Sequence, residues 1–204
     1  MSIETLKAEY PWPVRTNARP NHHGWFSGAK YFPQFTGPQV KVYLELGTWL
    51  GKSALWFAKR CPNAIIICVD HWEGSPTRPD VQGHAKDRRL DKILPTLWET
   101  FAVNVRPKRD RIIPVKGDTL AGMQKVFDHD VKPDLLYVDA CHSEDDVYRD
   151  VDGALRLFPD AQIIGDDWRM PQVRAGVYRA LMEHGREGCL VSSDNVWSLK
   201  REEK

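Results

Sequence analysis

From residue 41 onwards the chain alternates between short apolar runs and longer segments whose apolar residues recur every three or four positions. The runs fall at 42–46, 64–69, 112–115, 135–138, 161–164, 190–192 and 196–199, and several end at an acidic residue. Short, continuous and largely β-branched stretches are what strands buried on both faces of a parallel sheet look like. Helices are predicted between them. The segment 53–60 ends on Lys59-Arg60 and is stopped by Pro62, as the helix dipole and proline sterics favour. Ser143 is placed as an N-cap, with Glu144, Asp145 and Asp146 in the first turn and Val147, Val151, Ala154 and Leu155 on one face. Val173, Val177 and Leu181 form a similar stripe before Gly185. Strand–helix alternation predicts right-handed crossovers and a doubly wound α/β sheet of seven strands. Only Ser193-Asp194-Asn195 separates the last two runs, so they are expected to form a hairpin and give a mostly parallel sheet an antiparallel finish.

Residues 1–40 have a different texture. They are rich in Pro, Asn, His and aromatic side chains, as in Pro11-Trp12-Pro13 and Asn21-His22-His23-Gly24-Trp25-Phe26. Prolines argue against long helices and the aromatics against disorder. This stretch is read as an ordered N-terminal arm over a single domain at 41–204. With Trp72, Trp168 and the stretch 73–88 it is a candidate substrate lid, the alternative being a packed structural arm.

A length of 204 residues suits one domain, and 42% hydrophobic with 28% charged residues is a globular composition. The formal net charge of +1 gives no reason to expect nucleic acid or an anionic membrane as partner. No apolar run approaches the roughly 18–20 residues of a membrane span. Glu4, Lys7 and Glu9 interrupt the apolar core that a signal peptide would need. Cys61, Cys68, Cys141 and Cys189 are scattered, which suggests neither a zinc site nor a disulfide framework. A cytoplasmic protein is the expectation, and a homo-oligomer is compatible with the chain.

The chemistry gathers at the ends of the apolar runs. The segment Leu44-Glu45-Leu46-Gly47-Thr48-Trp49-Leu50-Gly51 follows the first strand and opens a helix. In such sheets ligands bind beyond the carboxyl ends of the strands, where glycines permit close backbone approach. A phosphate-binding loop would need a glycine at position 46, which is Leu46. A dinucleotide fingerprint would need one at position 49, where Trp49 is too bulky for the pyrophosphate. An acid, a glycine and a second glycine four residues later suits a cofactor without phosphates. A glycine turn of no function remains the bland alternative. The second strand reaches Asp70, a carboxylate about 20 residues on that can accept hydrogen bonds from ribose hydroxyls. Gly117-Asp118 follows the third strand, where Asp118 is either at an adenine edge or the N-cap of the next helix.

The fourth and fifth strands end in Val138-Asp139-Ala140-Cys141-His142 and Gly165-Asp166-Asp167-Trp168. Neighbouring strand tips thus bring three carboxylates to the face that carries the glycine loop. Such charges raise one another's pKa, and a hard divalent cation such as Mg²⁺ relieves the repulsion. Asp139, Asp166 and Asp167 are the candidate metal ligands, the alternative for Asp166 or Asp167 being a helix cap. His142, three residues after Asp139, is a candidate general base near neutral pH, and a loop histidine at the surface is its alternative.

These motifs resemble those of class I S-adenosylmethionine-dependent methyltransferases. Tyr43 to Ser53 is similar to the first motif of catechol-type O-methyltransferases. Asp70-His71-Trp72-Glu73-Gly74-Ser75 and Asp134 to His142 are similar to segments of the methyltransferase-24 group, which includes macrolide sugar O-methyltransferases. The likeness runs from about residue 24 to 181. It implies a Rossmann-like fold and cofactor contacts at Glu45, Gly47, Trp49, Gly51, Ser53, Asp70 and Asp118. It also implies metal ligation by Asp139, Asp166 and Asp167, and methyl transfer to a hydroxyl of a small-molecule acceptor. Two departures stand out. The catechol-type enzymes carry lysine at the position of His142, and Phe158-Pro159-Asp160-Ala161-Gln162 replaces a frequent glycine pair before the fifth strand. A non-catalytic S-adenosylmethionine-binding module and a nicotinamide-dependent oxidoreductase are the rival readings.

Overall fold

A computed structural model describes residues 2–13, 16–74 and 90–200. In chain order its elements are α1 (Ile3–Glu9), β1 (Val42–Leu46), α2 (Lys52–Arg60), β2 (Ile65–Asp70), α3 (Leu90–Ile93), α4 (Leu97–Val105), β3 (Ile112–Lys116), α5 (Thr119–Asp128), β4 (Leu135–Val138), α6 (Glu144–Leu157), β5 (Gln162–Gly165), α7 (Pro171–Glu183), β6 (Leu190–Ser193) and β7 (Val196–Leu199). The seven strands form one sheet in the order β3-β2-β1-β4-β5-β7-β6. Pairing is parallel from β3 through β5, while β7 runs antiparallel to both β5 and β6. The doubly wound sheet and the terminal hairpin are as the apolar pattern predicts. The hairpin turn is only Asp194-Asn195, with Asp194 left-handed at φ 55°.

Alternation along the strands divides the core into two layers. Leu44, Leu46, Ile67, Val69, Leu136 and Val138 pack under α5, α6 and α7. Tyr43, Ile66, Cys68, Leu135, Tyr137 and Ile164 face α2, α4 and the arm. With helices on both faces, the central strands are apolar apart from Glu45 in β1 and the polar ends of β2 and β5, which is why their sequences show no polar alternation. The caps read from sequence form: Ser143 accepts the Asp146 N–H, and Asp118 accepts those of Leu120 and Ala121. The segment 90–105, which gave no clear pattern, supplies α3 and α4.

The arm is an ordered strap. Helix α1 is capped by Ser2 and buries Leu6 completely in the layer under α5. Glu9 holds it there through Lys125 at 2.9 Å and the buried His129 at 2.8 Å. The chain then rounds the β3 edge, where Lys7 and Trp12 donate to the carbonyls of Asp110 and Arg109. Trp12 stacks on Trp98 and Phe101 of α4. From Asn21 the arm crosses the carboxyl ends of the strands. Asn104 ties Asn21 to the carbonyl of Leu50, Lys52 donates to Gly24 O at 2.9 Å, and Tyr31 donates to Asp194 at 2.8 Å. Of the lid candidates, Phe26 packs on Phe57 and Tyr137, and Trp72 is buried against Trp98 and Phe101. Trp25 stands at the surface, 54% exposed, as do His22 and Glu73. Of the candidate stretch 73–88, residues 75–88 lie outside the described residues.

Helices α6 and α7 meet at Gly176, where an added Cβ would lie 2.6 Å from Glu144 O and 2.9 Å from Tyr148 N. Backbone cannot yield as a side-chain tip can. Gly176→Ala is therefore expected to cost about 1–3 kcal/mol, measured as a lowered urea midpoint with unchanged slope.

Candidate functional site

The strand order reverses between β1 and β4, and the glycine loop sits at that point. Gly47, Trp49 and Gly51 have φ of 81°, 51° and 80°. Gly47 cannot carry a side chain, because a Cβ would stand 2.3 Å from Asp139 O and 2.4 Å from Ala140 Cα. Gly51 likewise abuts Val105 and Phe101 of α4. The close approach that these glycines permit is thus of the chain to itself, across the tips of β1 and β4. Asp70 completes the loop, its Oδ2 accepting the N–H groups of Thr48 and Trp49 at 2.9 and 2.8 Å and its Oδ1 that of Trp72 at 2.7 Å.

Glu45 points into the α2 layer and is fully buried. Ser53 Oγ donates to it at 2.6 Å and Tyr43 OH at 2.8 Å. Burial pushes its carboxyl up to about 7, opposed by those hydroxyls and assisted by the charge of Asp70. Glu45, Ser53 and Asp70 therefore form the inner support of the loop. Two features face outward. The indole N–H of Trp49 is enclosed without a hydrogen-bond partner among the described residues, and Asp118 is exposed beyond β3, after Gly117, which has nothing within 4 Å of its Cβ position. An orphaned donor and an open strand end fit a polar cofactor laid across β1 to β3.

The acidic tips lie beside this loop. Asp139, His142 and Asp167 bring one ligand atom each within 4.8 Å of one another. His142 Nε2 is 2.6 Å from Asp167 Oδ2. Burial first, then the charges of Asp166 and Asp167, hold the Asp139 carboxyl well above the usual carboxylate range, although Tyr137 OH donates to it at 2.9 Å. Two mutually repelling carboxylates and an imidazole, crowded together, are a donor set that fits a divalent cation. Asp166 is separate from this trio, being turned toward the arm and engaged by Ser27, Tyr137 and Asn195. Asn195, in the hairpin turn, also donates to Asp167 at 3.1 Å. Sequence reasoning marked Asn195 only as a turn residue and Ser27 only as part of the arm. A recess of about 190 Å³ bounded by Trp12, Thr16, Arg106 and Arg109 shares no residue with these tips.

Comparison with known proteins decides between the readings of the loop. Residues 44–168, well over half of the chain, match the methyltransferase-24 family, described as a methyltransferase domain. The chain belongs to this family. It thus has the class I S-adenosylmethionine-dependent methyltransferase fold, and the matched span runs from the glycine loop to the acids after β5. No curated protein matches it by sequence. Among solved structures it is similar to an O-methyltransferase from Bacillus cereus in complex with SAH, at 18% identity and TM-score 0.54, covering 89% of this chain and 84% of that one. The O-methyltransferase NovP gives 16% and 0.55 over 86% and 76%. The MycE methyltransferase from the mycinamycin biosynthetic pathway, in complex with Mg, SAH and mycinamycin VI, gives 15% and 0.56 over 97% of this chain and 53% of that one. Identities this low speak to the fold alone.

Glu45 yields a pH prediction. Its folded carboxyl is pushed up to about 7 from an ordinary 4.5, so it adds stability below about pH 4.5 that is lost as pH rises to 7. The shift is worth on the order of 3 kcal/mol. Glu45→Gln is expected to flatten the stability profile over that window, read as the difference in urea midpoints between the two proteins from pH 4.5 to 8. An unchanged slope would contradict the buried, proton-sharing state of this carboxyl.

Proposed function

We propose that this methyltransferase transfers the methyl group of S-adenosylmethionine to a hydroxyl of a small molecule such as a sugar, a phenol or another natural product, assisted by a divalent metal such as Mg²⁺. The observation that carries this reading is the contact of Gly47 with the Asp139–Ala140 backbone, because it sets a family cofactor loop directly against a titratable, cation-suited cluster. The metal-bearing, SAH-bound state named for MycE supports the same reading. Gly47, Trp49 and Asp118 are assigned to contact with the cofactor, and Glu45, Gly51, Ser53 and Asp70 to holding the loop that makes it. Asp139, Asp166 and Asp167 are assigned to the metal, and His142 with Asp139 to catalysis.

When bound, the cofactor supplies an electrophilic methyl on a sulfonium, and a metal would lower the pKa of the acceptor hydroxyl. The chain does the rest. Thr48 and Trp49, pinned by Asp70, fix the loop beside Asp139. Asp167 Oδ2 lies 2.6 Å from His142 Nε2 and orients the imidazole at the tips. His142 takes the proton of an acceptor hydroxyl placed at these tips, and the methyl that replaces it would come from the cofactor's sulfonium. Proximity and alignment contribute most of the acceleration. The arm, tied down from Asn21 to Tyr31, keeps bulk water from the tips.

The reading is tested by ligand-dependent melting. S-adenosylhomocysteine is expected to raise the melting temperature, with a further rise in Mg²⁺. A rise with NADH and none with S-adenosylhomocysteine would favour an oxidoreductase. Asp139→Ala is expected to abolish metal-dependent turnover while leaving S-adenosylhomocysteine affinity nearly intact, and equal loss of both would refute the assigned roles. His142→Ala is expected to lower kcat by about 10²–10⁴-fold, the usual span for a general base.

A further inference from the structure

Asp166 is more heavily hydrogen-bonded than its neighbours at the strand tips. Its Oδ1 accepts from Ser27 Oγ, from Asn195 Nδ2 at 3.0 Å and from Asp167 N at 2.8 Å. Its Oδ2 accepts from Ser27 N at 3.2 Å and Tyr137 OH at 3.1 Å. These donors outnumber the roughly four lone-pair positions of a carboxylate, and the residue is only 6% exposed. Two of them, the amide and hydroxyl of Ser27, belong to the arm. Asn195 joins both sides by donating also to Ser27 Oγ at 3.1 Å.

We infer that Ser27 and a divalent cation compete for Asp166, so that cation binding at the strand tips releases the arm at Ser27. This rests on the metal-assisted reading above. An oxygen that turns to Mg²⁺ at about 2.0–2.1 Å spends a lone pair on it, and Ser27 already occupies one on each oxygen of Asp166, through its hydroxyl on Oδ1 and its amide on Oδ2. Tyr137, Asn195 and the Asp167 amide are held by the sheet and the hairpin, whereas Ser27 sits on a strap. The neighbouring ties, Lys52 to Gly24 O and Tyr31 to Asp194, are exposed. The Ser27 bonds between them are half-buried and end on a carboxylate. Phe26 stays packed among Trp56, Phe57 and Tyr137, so release loosens the backbone of residues 22–28 about that fixed ring and does not lift the arm. Ser27 is a positioning residue here, acting on the metal site through Asp166 alone. Linkage makes the effect reciprocal, so weakening the arm contact must strengthen cation binding by the same factor.

The experiment is a calorimetric titration of Mg²⁺ into the full chain and into Ser27→Ala, with hydrogen exchange of residues 22–28 followed in parallel. Loss of one hydrogen bond to a charged group predicts about tenfold tighter Mg²⁺ binding by Ser27→Ala. Exchange at Ser27 and its neighbours is expected to speed up several-fold when Mg²⁺ is added to the unaltered protein. Mg²⁺ binding with equal affinity in both proteins, or with unchanged or slower exchange at 22–28, would overturn the competition while leaving the metal-assisted reading in place. No Mg²⁺ binding by either protein would overturn both.

Discussion

The architecture of the site hangs on one backbone contact. At the point where the strand order reverses, Gly47 at the tip of β1 lies against the Asp139–Ala140 peptide at the tip of β4, leaving no room for a Cβ. Flanking ladder bonds, Gly47 N to Val69 O and Asp139 N to Leu46 O, both 2.9 Å, carry the two tips as extensions of the sheet. The cofactor loop and the acidic cluster are therefore one rigid object. Any side chain at position 47 would displace Asp139, and with it the loop that carries His142. Asp70 reinforces the arrangement from the other side by fixing the amides of Thr48 and Trp49.

That contact concentrates negative charge, and each carboxyl is managed differently. Glu45 is buried with two hydroxyls and sits near its point of protonation at neutral pH. Asp70 is satisfied by backbone N–H groups, and Asp166 by the arm and the hairpin. What remains unbalanced is Asp139 beside Asp167, with His142 as the one group of the trio able to become cationic. The same crowding that would be costly in an inert surface is what raises the Asp139 carboxyl and would draw a cation to this corner.

Much of the fold was legible because strands buried on both faces leave continuous apolar runs, and because helix termini carry their own chemistry at Ser143, Asp118 and Pro62. The acids at the ends of β2, β4 and β5 could be placed on one face from strand order alone. What could not be read were contacts joining distant segments. Nothing near Ser27 or Asn195 announces that they meet over Asp166, and Asn104 gives no sign that it ties the arm to the glycine loop. Gly47 and Gly51 were expected to make room for a ligand, whereas the residues that fill the space are the chain's own. Spacing can mark a position where a Cβ is intolerable, but not which neighbour forbids it.

The central claim is that a cofactor held by the β1 loop directs its methyl group at the Asp139–His142 corner. A crystal structure of the protein with S-adenosylhomocysteine and Mg²⁺ tests it most directly. The account predicts the ligand across the ends of β1 to β3, with its sulfur facing His142 and the cation on Asp139. A sulfur directed away from β4, or a cation bound elsewhere, would contradict it.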